Sequence, residues 1–277
     1  MQATISELHL YPIKSCRGIA LREATVAATG LEVDGIGDRE WVVVDADGEF
    51  LSQREIPRMA LIETRFTGTS LRLKAPGMLA LEVPFASEGD VVTAQVWDDR
   101  VSAVTQGEVA DAWFSNFLGR PARLLRFDPE HTRLSAHKYT GKVDAPVKFG
   151  DGFALLATGT ASLADVNRRL QARGEAPIAS ERFRPNIVLA GLEAYEEDYL
   201  KTIRAGGLEL RNVKPCARCS IPGVDPATGE ASTVVPDLLA MYRGHDAGVM
   251  FGVNVIVAAG AGATLRVGDT VEVELDL

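Results

Sequence analysis

The feature that most restricts this chain is the rhythm of its apolar runs, which are short, often alternating, and interrupted by turn formers. Ala24, Val26 and Ala28 alternate with polar residues, the period of a half-buried strand. Trp41–Val44 and Glu49–Ser52 flank Asp45-Ala46-Asp47-Gly48, which reads as a hairpin. Leu61–Phe66, Leu71–Lys74, Leu79–Val83 and Val91–Trp97 continue the series. Phe251–Ala258, with Leu265, Val267, Val271 and Val273, supplies closing strands around the turn Val267-Gly268-Asp269-Thr270. Many short strands at this spacing predict a barrel or a sandwich.

Two stretches break the pattern. Val109, Ala112, Trp113, Asn116 and Phe117 fall at helical spacing, and Gly119 supplies the stop. After a strand at Phe153–Ala157, Leu163, Val166 and Leu170 form one stripe of a second helix, with Thr160 or Ser162 placed to cap it. A strand feeding a helix start offers free backbone N–H groups to an anion, although ordinary capping would explain the same residues. The fold class is a β-rich α+β. The polar stretch Phe127–Lys148, with Pro129 and Pro146, divides the chain into domains at 1–126 and 127–277. Its His131 and His137 are spaced too loosely for a metal pair and read as solvated.

The chain has 277 residues, 46% of them hydrophobic, so it can bury a sizeable core. Twenty-nine Lys and Arg against 38 Asp and Glu leave a net charge of −9, which argues against nucleic acid and anionic membranes as partners. Three cysteines suit a reducing compartment better than a disulfide scaffold. Met1 leads into strand-like Ile5–Leu10 without a basic-then-apolar start, and Phe251–Ala263 is shorter than the ~18 residues of a membrane span. The expectation is a soluble, cytoplasmic protein.

Two cysteines lie in Val213–Gly229, after the strand-like Leu208–Val213 and before the turn formers Pro222, Gly223, Asp225, Pro226 and Gly229. Zinc would need about four ligands, and only Cys16 remains as a further thiol. A thioredoxin-type pair would need a helix that Pro222 and Gly223 forbid. Inert small thiols and a single thiolate on a soft metal stay open. Phe183-Arg184-Pro185-Asn186 enters a strand, which would point Arg184 and Asn186 to one side. Arg184 suits a bidentate grip on an oxyanion, and a structural salt bridge is the plainer alternative.

Cys216-Ala-Arg-Cys219 followed by Val-Asp-Pro-Ala-Thr-Gly resembles the cysteine loop of the MOSC-domain family. More narrowly, it is similar to the branch of mitochondrial amidoxime-reducing components and bacterial reductases of N-hydroxylated bases. Tyr11-Pro-Ile-Lys-Ser15, Asp38-Arg-Glu-Trp41, Gln53-Arg54 with Pro57, Phe-Arg-Pro-Asn and the final Val-Gly-Asp follow the family order along the whole chain. The resemblance implies a MOSC β-barrel domain with a few helices behind an N-terminal β-rich companion domain. It implies a molybdenum–molybdopterin cofactor lying between the two, with Cys219 as metal ligand and catalytic thiol. Lys14, Ser15, Arg39, Thr160, Ser162, Arg184 and Asn186 would hold the cofactor, and Cys216 would not be a ligand. The implied reaction is reduction of the N–O bond of a small N-hydroxylated substrate. Asn254 stands where some relatives carry an aromatic residue.

A different class of function is a molybdenum-cofactor or sulfur carrier using a persulfide on Cys219, and a third is a binding module with inert thiols. Some bacterial relatives carry an iron–sulfur domain after the barrel. Here Leu277 follows the closing strand, only three cysteines exist, and no Gly-x-Gly-x-x-Gly turn is present. A separate ferredoxin- or cytochrome-like electron donor is therefore expected.

Overall fold

A computed structural model describes residues 1–86 and 88–276; Ser87 and Leu277 lie outside the described residues. Its largest sheet closes on itself. Seven strands form the ring in the order Leu155–Gly159, Ile187–Ala190, Gln2–Leu10, Thr270–Leu275, Leu200–Ala205, Leu208–Arg218 and Gly248–Ala259. The last pairs back onto the first. Closure leaves no free edge in the ring, which removes a site for edge-to-edge association. Ile5, Leu8, Leu10, Leu155, Ile187, Val253, Val255 and Val271 fill its interior, each buried.

The companion half is built around two smaller sheets. Val91–Val96, Asp99–Thr105, Arg123–Phe127 and Trp41–Val44 pair in that order, and Glu63–Phe66, Ser70–Lys74 and Leu81–Pro84 form a meander. The helix α1, Glu108–Leu118, packs on them through Ala110, Trp113, Phe114, Phe117 and Leu118. Helical spacing holds, but the stripe starts at Ala110 and not at Val109, which is 74% exposed. Starting there turns Asn116 outward and removes the one polar exception on the expected face. Gly119 ends the helix in the left-handed conformation, as its position suggests.

The halves are laced together. Gln2–Leu10, the first strand of the chain, belongs to the barrel, and Glu23–Ala27 pairs with Ala263–Arg266. The sheets therefore do not divide where the polar stretch falls in sequence. That stretch carries a short helix, α2, His137–Thr140, and a bridge between Leu134 and Pro146. Buried Arg133 pins it, bonding to Asp99 and to the carbonyls of Lys148 and Gly150. Two further helices, α3 (Thr160–Gln171) and α4 (Val234–Arg243), pack outside the barrel over Phe183 and Phe251. Among the described residues, no helix is long and apolar enough to cross a membrane.

Candidate active site

A cavity of about 510 Å³ is lined by residues of both halves, and five cationic side chains reach it: Lys14, Arg39, Arg54, Arg184 and Arg218. For a chain of net charge −9 this is a local reversal of sign. Asp98 and Asp151 are the acids in the lining. Cys216 and Cys219 reach the same space, Cys216 half-buried and Cys219 exposed.

Backbone strain collects here. Among the described residues, six other than glycine have positive φ, and four of these line the cavity: Ser15 (67°), Arg39 (48°), Trp97 (56°) and Arg184 (56°). Each costs roughly 1–3 kcal/mol and persists only where the surroundings over-determine it. The surroundings do so. Arg39 donates its backbone N–H to Tyr11 at 2.7 Å and accepts from Phe149 at 3.1 Å. Gln53 Nε2 donates to the Ser15 carbonyl at 2.9 Å. Arg184 Nη1 donates to the Cys16 carbonyl at 2.6 Å.

Arg39 and Arg184 stand over the Tyr11 ring, with centroid distances of 4.5 and 4.2 Å. Burial, and then the charge of Arg39, lowers Arg184 to about 10. Burial also acts to lower Arg39, but its ion pair with Asp38 outweighs this and raises it. Lys14 is pushed down by burial, opposed by Asp151. Desolvation works against ionisation of Asp151, but Lys14 and the Trp97 indole N–H hold its carboxyl below the usual range. Two nitrogens on lining residues, Arg184 Nη2 and Arg218 Nε, are buried without a hydrogen-bond partner. Buried guanidinium nitrogens of this kind favour an anion that brings oxygen acceptors.

Of the residues expected at the site, Lys14, Ser15, Arg39, Arg184, Asn186 and Cys219 line the cavity; Thr160 and Ser162 do not. Gly159 precedes α3, and no side chain caps the helix. Its anion comes from within the protein. Glu197, fully buried, accepts from Gly159 N–H at 3.1 Å and from Ser162 Oγ at 2.6 Å. The start of α3 is thus filled by an internal carboxylate, as the helix dipole favours.

Burial pushes the Glu197 carboxyl above its ordinary value, against the hydrogen bonds from Ser162 and Gly159. The folded state therefore holds this proton more tightly than the unfolded state. Its contribution is full below the ordinary carboxylate value and is lost as pH rises through the raised one. Melting temperatures of wild type and Glu197→Gln, compared from about pH 4 to pH 8, should show wild type losing ground to the variant as pH rises. A difference constant over that range would count against this linkage.

Asn186 also differs in detail. Its amide is already engaged: Oδ1 accepts from Arg39 Nη1 and Leu156 N–H, both at 3.1 Å, and Nδ2 donates to the His9 carbonyl at 3.1 Å. Asn186 is a positioning residue for Arg39. Arg184 shares its side of the cavity through a left-handed turn after Ser180–Phe183, not through an extended chain. Cys216 is on the strand Leu208–Arg218 itself, and Cys219 is just past its end.

Sequence reading missed Arg54, Trp97 and Arg218. Arg54 lies over the Trp97 ring at 4.4 Å, and Trp97 meets Phe50 edge-on at 5.1 Å, giving one wall an aromatic and cationic surface. Arg218 donates to Cys216 Sγ at 3.2 Å and to the Phe183 carbonyl at 2.7 Å. Its position between the cysteines was an available signal, since residues two apart on a strand share a face.

Residues 2–121 match the model of the MOSC N-terminal beta barrel domain, and residues 144–272 match that of the MOSC domain. The chain is 33% identical over 246 residues to human mitochondrial amidoxime reducing component 2, spanning 87% of this chain and 72% of that protein. It is 32% identical over 249 residues to human mitochondrial amidoxime-reducing component 1, spanning 88% and 73%. A crystal structure of the YUAD protein from Bacillus subtilis aligns over 100% of this chain and 98% of its own, with 11% identity and a TM-score of 0.48.

Proposed function

The chain belongs to the MOSC family, with an N-terminal MOSC companion domain, and from that premise we propose that it reduces N-hydroxylated compounds using a molybdenum–molybdopterin cofactor held in the central cavity. One observation carries the reading. Residues of separate family motifs, far apart in sequence, converge on a cationic cavity beside an exposed thiol. Relatives named for amidoxime reduction support the substrate class.

The residues present fit the cofactor. Arg39, Arg184, Arg218 and Lys14 offer the charge that a phosphate and pterin oxygens require, and two of these arginines carry buried unpaired nitrogens. Among the described residues no group of three or more His, Cys, Asp or Glu could hold a metal ion. Cys219 would therefore supply one thiolate ligand, and the other soft donors would come with the pterin dithiolene. When bound, the cofactor supplies the two-electron reductant. Overall, a hydroxylamine group takes up two electrons and two protons, the N–O bond breaks, and amine and water leave. The chain's own contribution is to bind, orient and neutralise. The electrons would come from a separate small donor protein.

Metal, pterin and sulfane-sulfur analysis of freshly purified protein tests this. Stoichiometric molybdenum and pterin with N–O reductase activity is the expected result. Labile sulfane sulfur on Cys219 without metal would replace the reading with the carrier. Arg39→Ala and Arg184→Ala should each weaken cofactor retention by roughly tenfold to hundredfold, the value of one charge-assisted hydrogen bond at about 1.5–3 kcal/mol. Full occupancy in both folded variants would remove these arginines from the cofactor site.

A further inference from the structure

A second basic feature lies beside the cavity and takes no part in lining it. Helix α2 packs on the strand Leu208–Arg218, with Arg211 bonding to the Thr140 carbonyl. Lys138 and Lys214 both stand over the Tyr139 ring, at 4.8 and 4.5 Å. Lys138 and Lys142 are exposed, and so are the apolar side chains of Leu134 (42%) and Tyr139 (37%). The one acid in residues 137–144 is Asp144, which faces His137 at 3.5 Å. On a chain of net charge −9, two lysines thus flank an exposed tyrosine, with exposed Lys142 close by in sequence.

The patch is coupled to the cavity by two routes. Tyr139 meets Phe153 edge-on at 5.7 Å, and Phe153 lines the cavity. Lys214 pairs across the sheet with Asn254, also in the lining, and precedes Cys216 on the same strand by two residues.

The geometry points to this patch as the docking surface for a small acidic one-electron-transfer protein. The inference rests on the reductase reading above and gives it a place for the donor. Two encounters, each oxidising one donor molecule by one electron, supply the pair consumed per N–O bond, with two protons taken from solvent. Transient redox interfaces are small, below about 1,200 Å², and rely on complementary charge to raise the encounter rate. Lysines flanking an exposed tyrosine have that character, and the strand beneath them leads to the thiol.

The variant for the test is Lys138→Glu/Lys142→Glu, since neither lysine lines the cavity. Turnover is driven in parallel by an acidic plant-type ferredoxin with its reductase and by reduced methyl viologen. Ferredoxin-driven turnover at low ionic strength should fall about tenfold and lose its salt dependence, while dye-driven turnover stays at the wild-type level. Ferredoxin binding, followed by calorimetric titration, should weaken by a similar factor. Equal ferredoxin-driven turnover in both proteins, or no ferredoxin binding to wild type, overturns the docking surface. If wild type binds ferredoxin at these lysines but neither reductant drives N–O cleavage, the reductase reading fails and the surface stands.

Discussion

Replacing Cys219 by serine should reduce N–O reductase activity by at least about a hundredfold, because a hydroxyl is a far poorer donor to a soft metal than a thiolate. Cys216→Ser should retain activity within about tenfold, since its sulfur already accepts from Arg218 Nη1 at 3.2 Å and a hydroxyl oxygen can take that role. Equal loss in two folded variants would point to a joint two-thiol role instead. Alkylation gives a readout that does not depend on activity. In cofactor-free protein, iodoacetamide should label exposed Cys219 first and half-buried Cys216 more slowly. Cys16 should react only on unfolding, because it is fully buried and burial pushes its thiol up to about 12. Early labelling of Cys16 would contradict the placement of the three thiols.

Asn186→Leu is expected to be the most damaging single change near the cavity for stability. The side chains are similar in size, so packing changes little, but three partners lose their bonds at once: Arg39 Nη1, the Leu156 N–H and the His9 carbonyl. Asn186 is buried to 1% exposure, so water reaches none of them cheaply. At about 1–3 kcal/mol for each group left unsatisfied, a loss of roughly 3 kcal/mol or more is expected. For a chain of this size that lowers the melting temperature by about 6–12 °C. A thermal melt within about 2 °C of wild type, equivalent to under about 1 kcal/mol, would show that Asn186 is not the hub its bonds describe.

Most of the barrel was readable because its strands alternate or run apolar between turn formers, and one period suffices to find them. Six of the residues expected at the site line the cavity, and each belongs to a local motif fixed by its neighbours in the chain. Thr160 and Ser162 lie outside that lining, where a distant group meets them. The group that occupies the start of α3 is Glu197, 35 residues beyond Ser162, and no local pattern announces a carboxylate arriving from that distance. Trp97 was hidden differently. It reads as the end of a strand, yet Val96 pairs with Asp99, so Trp97 and Asp98 form a two-residue hairpin turn. Such turns ordinarily advertise themselves through glycine or asparagine at the positive-φ position. Here a tryptophan takes that conformation, and only its contacts with Arg54, Phe50 and Asp151 disclose why it is held there.

The seating of Gln2–Leu10 between Ile187–Ala190 and Thr270–Leu275 sets an order of events during synthesis. The Leu8–Leu10 end of this first strand can pair early with Ile19–Leu21, but its two neighbours in the ring lie in the second half of the sequence. The companion sheets, whose strands lie within residues 41–127, have their partners available far sooner. They should form early, while Gln2–Leu10, paired only with Ile19–Leu21, waits for its ring neighbours with Ile5, Leu8 and Leu10 not yet buried in the barrel. Ring closure is then a late, long-range step, slow in the way that distant pairings are slow. Pulse-labelled nascent chains should acquire protease resistance in the companion half well before the N-terminal strand does.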